Sequence, residues 1–328
     1  MNSIQSSITL LTMWLLVLVG VAQSEQPIKR TLQLTALEHS PTRCQLGIES
    51  QFLDNTSLLI SNPICTRGGV ESSYQIAVVS LDGTIRTSIN LDGNSRYPHP
   101  GPVGYIFIPA GGKGWLIFDE QLHRLGDVPA RAGESEGEVV LSPSRTAVAV
   151  IFTRADGYSY PWRSVVLAGQ PLENKGEYTI PAGWPMITDS GSFDTSKSDK
   201  ARLFMVSSDE QWFFDKTNHH LSRWSPNGGS TMLPNASWLA PDKTETWCSG
   251  QLSSAKTRRF LAHCNGNTML GIGKASIGWG HNRFVVYDAE GKTLFKKAVP
   301  RNSSISLSPD GHLIAVSHQN SIDLYDLH

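Results

Sequence analysis

The residues best suited to covalent or coordination chemistry are four cysteines, Cys44, Cys65, Cys248 and Cys264, and ten histidines. An even cysteine count suits disulfides, and four cysteines allow three pairings. The local one, Cys44 with Cys65 and Cys248 with Cys264, is favoured because each pair brackets two neighbouring strand candidates. Paired strands lie about 4.8 Å apart, within disulfide reach. Four buried free thiols are the alternative. Zinc fits less well, because no CxxC or HxxxH spacing supplies a tetrahedral set. Among the histidines, His99 stands between prolines in YPHP (Tyr97–Pro100) and reads as an extended loop. His219 and His220 would face opposite sides of a strand and so would not share an ion. His281 sits in GWGHNR (Gly278–Arg283), a Gly-rich stretch read as a long connection, which could reach a ligand at a channel mouth.

Local catalytic motifs are missing from the sequence: there is no GxSxG nucleophile elbow and no HExxH zinc helix. Gly271–Lys274 (GIGK) is followed by Ala275 where a phosphate loop needs Ser or Thr. No CxxCH haem site exists, and no cofactor is expected. Asp82, Asp92, Asp156 and Asp310 each precede Gly and read as turn formers, not calcium ligands. Trp115 and Trp212 lie on strand candidates and read as packing. Trp162 and Trp184 lie in loop candidates, where an indole either caps a core or stacks on a sugar or peptide. Asn55, Asn235 and Asn302 stand in glycosylation sequons, which matter only in a host with that machinery. The formal net charge is −1, which offers no field for nucleic acid. The nearest basic groups, Lys256 with Arg258 and Arg259, and Lys296 with Lys297, read as solvated strand faces.

Such residues need a scaffold, and the sequence describes one. Ile8 to Ala22 is an uncharged apolar run, short for a bilayer span and matched to a signal-peptide core. Small residues follow, so cleavage is expected after Ser24: residues 1–24 form the signal and 25–328 the mature domain. No Lys or Arg precedes Lys29, which leaves an uncleaved anchor as the alternative. The expected destination is a periplasm or the cell exterior, without membrane attachment after cleavage. Beyond residue 24, short apolar runs alternate with turn chemistry. Examples are QIAVVS (Gln75–Ser80), AVAVIF (Ala147–Phe152) and HLIAVS (His312–Ser317). Charged residues make up only 17% of the chain, as expected when many short strands are joined by many turns.

Two repeated signals select among all-β folds. LSPSRTAVAV begins at Leu141 and LSPDGHLIAV at Leu307, with a weaker copy, LAPDKTETWC, at Leu239; each reads as strand, turn, strand. An aromatic–Asp pair closes WLIFD (Trp115–Asp119), WFFD (Trp212–Asp215), FVVYD (Phe284–Asp288) and IDLYD (Ile322–Asp326). With weaker equivalents at Val79 and Leu167, the markers fall at 79, 118, 167, 214, 287 and 325, and most steps lie near a propeller blade of about 40–50 residues. The chain is therefore expected to be all-β, a single propeller of six or seven four-stranded blades, with seven preferred. Arg30–Leu37 (RTLQLTAL) would supply the missing outer strand of the last blade. SPDGHLIAV followed by SIDLYDL resembles the repeat unit of WD40-like and related bacterial propeller proteins, with the aromatic–Asp pairs standing where that family has Trp-Asp. Its Gly-His dipeptide is not repeated here.

The functional expectation is a non-catalytic binding platform for a protein, peptide or glycan. The alternative is a lactonase-like propeller hydrolase with a polar or metal-bearing channel. Propeller enzymes gather ligands from separate blades, so no catalytic or metal-ligating residue is assigned from sequence.

Overall fold

The computed structural model describes residues 27–327 apart from 38–43, 45–46, 67–70, 94–96, 143, 157–160, 181–184, 188–192, 196–200, 208–209, 216–219, 226–228, 233–244, 253–258, 273–274 and 301–302; within 181–258 and 264–282 only strands and their pairing are described. The expected signal segment lies outside the described residues.

All described regular structure is β. After β1 (Ile28–Gln33), a first sheet runs β2 (Glu49–Phe52), β3 (Ser57–Cys65), β4 (Glu71–Ser80), β5 (Ile85–Asp92). A second runs β6 (His99–Pro100), β7 (Tyr105–Pro109), β8 (Gly114–Asp119), β9 (Arg124–Pro129). A third runs β10 (Glu134–Leu141), β11 (Ala147–Arg154), β12 (Trp162–Ala168), β13 (Glu173–Ile180). A two-stranded sheet, β14 (Pro185–Ile187) and β15 (Phe193–Thr195), precedes the fourth, β16 (Ala201–Ser207), β17 (Glu210–Asp215), β18 (His220–Ser225), β19 (Gly229–Met232). The fifth contains β20 (Glu245–Leu252), β21 (Phe260–Ile272), β22 (Ala275–Tyr287), β23 (Thr293–Pro300). The last contains β24 (Ile305–Leu307), β25 (Leu313–Ser317) and β26 (Ser321–Asp326), with β1 as its fourth strand. The N-terminal strand does pair with the last sheet, but over Ile28–Gln33 and not Arg30–Leu37, with Ile28 opposite Asp326 and Gln33 opposite Ser321.

The apolar pattern explains the packing. Middle strands are buried on both faces: Leu58–Asn62 in β3, Gln75–Val79 in β4 and Ala147–Phe152 in β11. Outer β5 instead alternates half-buried with exposed residues, as a strand with one wet face must. The core therefore lies between sheets. Ile76, Val78, Ile106 and Phe118 join the first and second. Phe107, Trp115, Val150 and Val165 join the second and third. Leu58, Val79, Ile322 and Leu324 join the first and last. Buried serines strengthen that last junction: Ser50 Oγ lies 2.6 Å from Ser317 Oγ, and Ser50 N donates to Ser304 Oγ at 2.9 Å.

Turn chemistry follows the repeat. Ser308 Oγ accepts from Leu313 N at 2.9 Å, and Gly311 turns the chain at φ 78°. In the matching turn, Ser142 Oγ accepts from Ala147 N at 3.1 Å. Asp119 and Asp288 accept backbone N–H bonds in the turns that follow them, as the aromatic–Asp reading requires.

Several sequence expectations need correction. The aromatic–Asp markers are not equivalent: WFFD ends β17, the second strand of its sheet, whereas WLIFD, FVVYD and IDLYD close third strands, because any apolar strand that runs into a turn satisfies the same local chemistry. The described part of LAPDKTETWC, from Glu245, opens a first strand, whereas its counterparts open second strands at Ala147 and Leu313. GWGHNR is not a loop; it belongs to β22, held in register by β21 on one side and β23 on the other at its C-terminal end. Trp162 opens β12 instead of lying in a loop, while Trp184 and His219 fall outside the described residues. The basic groups are more than solvated faces. Arg259 Nη1 donates to the Gly311 and Leu327 carbonyls at 2.9 and 3.0 Å, and Lys297 Nζ donates to the Tyr325 hydroxyl.

Candidate functional site

A concavity of about 770 Å³ lies between the second and third sheets. One wall is the outer strand β9 with the segment after it, Leu125 to Arg131. The opposite wall is one face of β12, Arg163, Val165 and Leu167, with Pro171, Leu172, Asn174 and Glu177 beyond it. Alternation puts every second β12 residue on this face, so a single strand supplies a cation and two apolar side chains. The two sheets are locked together next to the groove. The Glu136 carboxylate of β10 accepts N–H bonds from Ala110, Gly112 and Gly114 at 3.3, 2.8 and 2.8 Å. Gly112 and Gly114 hold φ of 85° and 116°, a conformation glycine adopts freely, which lets successive N–H groups converge on one carboxylate.

Arg163 organises the polar end. Its guanidinium meets Glu134 through Nε at 2.8 Å and Nη2 at 2.7 Å, and its Nη2 also donates to the Pro129 carbonyl across the groove at 3.0 Å. Phe152 lies beneath it, 4.1 Å from guanidinium carbon to ring centre. Glu177 approaches the other amino group at 3.6 Å and takes a 2.6 Å bond from Arg131. The Arg163 hydrogen bonds hold the Glu134 carboxyl below its usual range against the opposing effect of burial. Glu134 is therefore a carboxylate at neutral pH, suited to orienting Arg163 and not to donating a proton. The arrangement can grip: apolar walls take up a side chain or extended segment, and preorganised N–H groups fix its polar atoms.

Of the cysteines, Cys44 and Cys65 form a disulfide with Cα atoms 5.6 Å apart. Cys248 and Cys264 stand directly opposite in the pairing of β20 with β21; their side chains lie outside the described residues. His99 packs edge-on against Trp115, ring centres 5.4 Å apart, and burial pushes its pKa down to about 4. Among the described residues, none of the cysteines, histidines or tryptophans singled out from sequence lines the groove, whereas Ile117 of WLIFD and Leu167 do. Its key residues left a faint trace, since Arg163 is the only charge in the apolar strand WRSVVLA.

No protein-family model matches the chain, and no curated protein does. Among solved structures, the C-terminal WD40 domain of Sif2 aligns over 88% of this chain and 98% of its own length, at 10% identity and a TM-score of 0.53. The fold resembles that of WD40-like β-propellers. A DUF4221 family member from Bacteroides vulgatus aligns over 92% of this chain and 96% of its own, with 7% identity and a TM-score of 0.47. An oligogalacturonate lyase from Vibrio parahaemolyticus aligns over 92% and 97%, with 8% identity and a TM-score of 0.47. At such identities the likeness concerns the fold alone, and the propeller's function rests on its own residues.

Proposed function

We propose that this propeller is an exported, non-catalytic binding platform whose groove between the second and third sheets takes an extended segment of a protein or peptide. The observation that carries this is the groove's composition: apolar walls from β9 and β12, with charges at the rim that neutralise each other through Arg163, Glu134 and Glu177. Leu125, on the free outer strand β9, is 56% exposed in this wall and offers apolar area to a partner. Export is supported by the apolar run Ile8–Ala22 with expected cleavage after Ser24, and by the Cys44–Cys65 bond, of a kind that persists in oxidising compartments. A ring of seven is supported by the six four-stranded sheets and the extra pair β14–β15, which stands between the third sheet and β16. The pairing of β1 with β26 supports closure of that ring by the N-terminal strand.

The test is selection of peptides from a random display library against the mature chain. Selected peptides should lose at least tenfold in affinity with Leu125→Asp and keep it with Ile28→Asp, a control on exposed β1. Peptides insensitive to Leu125→Asp would remove the groove from the reading.

A further inference from the structure

The two clear copies of the repeat differ at one position in a way packing does not explain. Aligning LSPSRTAVAV with LSPDGHLIAV places Arg145 where the other copy has Gly311. Both turn the chain through left-handed backbone, φ 59° at Arg145 and 78° at Gly311. Glycine adopts this conformation freely, whereas a residue with a Cβ is strained in it. The backbone task at this site, the Arg145 carbonyl accepting from Val103 N at 3.3 Å, needs no side chain at all. Retaining arginine there points to the guanidinium.

The surroundings of that guanidinium are unusual. It is largely buried, yet its one hydrogen bond among the described residues runs from Nη2 to the Gly101 carbonyl at 3.1 Å. Nε is buried with no partner among the described residues. No carboxylate forms an ion pair with it among the described residues. The nearest acids, Asp54 and Glu120, act on it only through their fields, and the Asp54 carboxylate is already engaged by Thr56 N and Oγ1 at 2.6 and 2.8 Å. Burial outweighs both acids and lowers the Arg145 pKa to about 10, so its charge is incompletely compensated. A guanidinium offers five N–H donors in a planar fork that fits a carboxylate. Beside it, Val103 is 62% exposed, and its carbonyl is fixed by Gln170 Nε2 at 3.2 Å. Arg145, Val103 and Gln170 thus set a cation next to an apolar shoulder, on the side of the sheets where first strands turn into second strands.

We infer that Arg145 is a docking point for a carboxylate, carried by an acidic side chain of a protein partner or by a small organic acid. Arg145, Val103 and Gln170 do not line the groove, although Gln170 directly precedes Pro171, which does. The guanidinium supplies the charge and Val103 the contact for the aliphatic part of the ligand.

The experiment is NMR titration of the isotopically labelled mature chain, following the Arg145 Nε–H resonance, assigned by its loss in Arg145→Gln. The probes are acetate, the peptide acetyl-Ala-Glu-Ala-amide, and the same peptide with Gln for Glu. Saturable shifts with the two carboxylates, at least tenfold weaker with the Gln peptide and in Arg145→Gln, are expected. Tighter binding of the Glu peptide than of acetate would identify a protein carboxylate as the source; equal binding would identify a small acid. Arg145→Gly, which copies Gly311, should melt at or above the wild-type temperature, separating a binding role from a folding one. An unmoved Arg145 resonance, or equal response to the Glu and Gln peptides, would overturn the inference.

Discussion

The junction between the second and third sheets and that between the fifth and last sheets are built to one plan and finished differently. The repeat and its strand register make Val165 and Leu167 of β12 equivalent to Asp323 and Tyr325 of β26. In the first junction those positions are apolar, line a groove, and leave the polar work to Arg163 at the rim. In the second they are filled. Tyr325 packs on Phe295 at 5.2 Å between ring centres, beneath Lys297 Nζ at 4.5 Å. Asp323 takes bonds from Thr31 Oγ1 at 2.7 Å and Lys29 Nζ at 2.8 Å, and lies 2.9 Å from His318 Nε2. Lys29 and Thr31 belong to β1, so the filled junction also fastens the strand that arrives from the other end of the chain. One position set either lines an open groove or spends that space on holding the fold.

If that contrast is right, removing volume should hurt one junction and adding it should be tolerated in the other. Tyr325→Ala should destabilise by about 4 kcal/mol, the range for deleting a buried aromatic ring. Leu125→Trp, which adds volume at a groove wall where the residue is 56% exposed, should stay within about 1 kcal/mol of wild type while abolishing peptide binding. Urea denaturation checks both, and equal losses would erase the distinction. Next in size, Asp323→Ala should cost about 3 kcal/mol, because Lys29 and His318 lose their shared acceptor in a site where Asp323 is 5% exposed. Proteolysis of the N-terminal strand should quicken in that variant.

The smallest effect is a pH dependence. Burial opposes ionisation of Asp323, yet the hydrogen bonds from Lys29, Thr31 and His318 prevail and lower its pKa from 3.8 to about 2. A lowered carboxylate pKa stabilises the folded state fully above the unfolded value and loses that contribution as pH falls through the folded one. About 2 kcal/mol should therefore disappear between about pH 4 and pH 2. Asp323→Asn should flatten this slope in acid denaturation curves, whereas substitutions in the groove junction leave Asp323's share of it intact.

How much of this could be read in advance depended on sequence distance. Ser-Pro-Asp-Gly and Tyr-Asp are local, since turn hydrogen bonds span two to five residues, and they revealed both the strand–turn–strand unit and its repetition. Cys44–Cys65 and the pairing of β1 were legible because each needs only neighbouring strands or a missing edge. The groove was not: Arg163 meets Glu134 across 29 residues and Pro129 across 34, contacts fixed by how sheets stack and by no local pattern. GWGHNR was misread because glycines suggest loops, while pairing on either side can hold them in a strand. Arg145 did leave a signal, its substitution for the glycine of the better repeat, visible once the two copies are written one above the other.

The bond from Thr31 to Asp323 joins residues 292 positions apart. A ribosome makes β1 among the first strands and its partner among the last. Until synthesis has passed Asp326, β1 has no edge to join and β26 has no outer neighbour. Without β26, β1 keeps an unpaired edge that proteases can recognise.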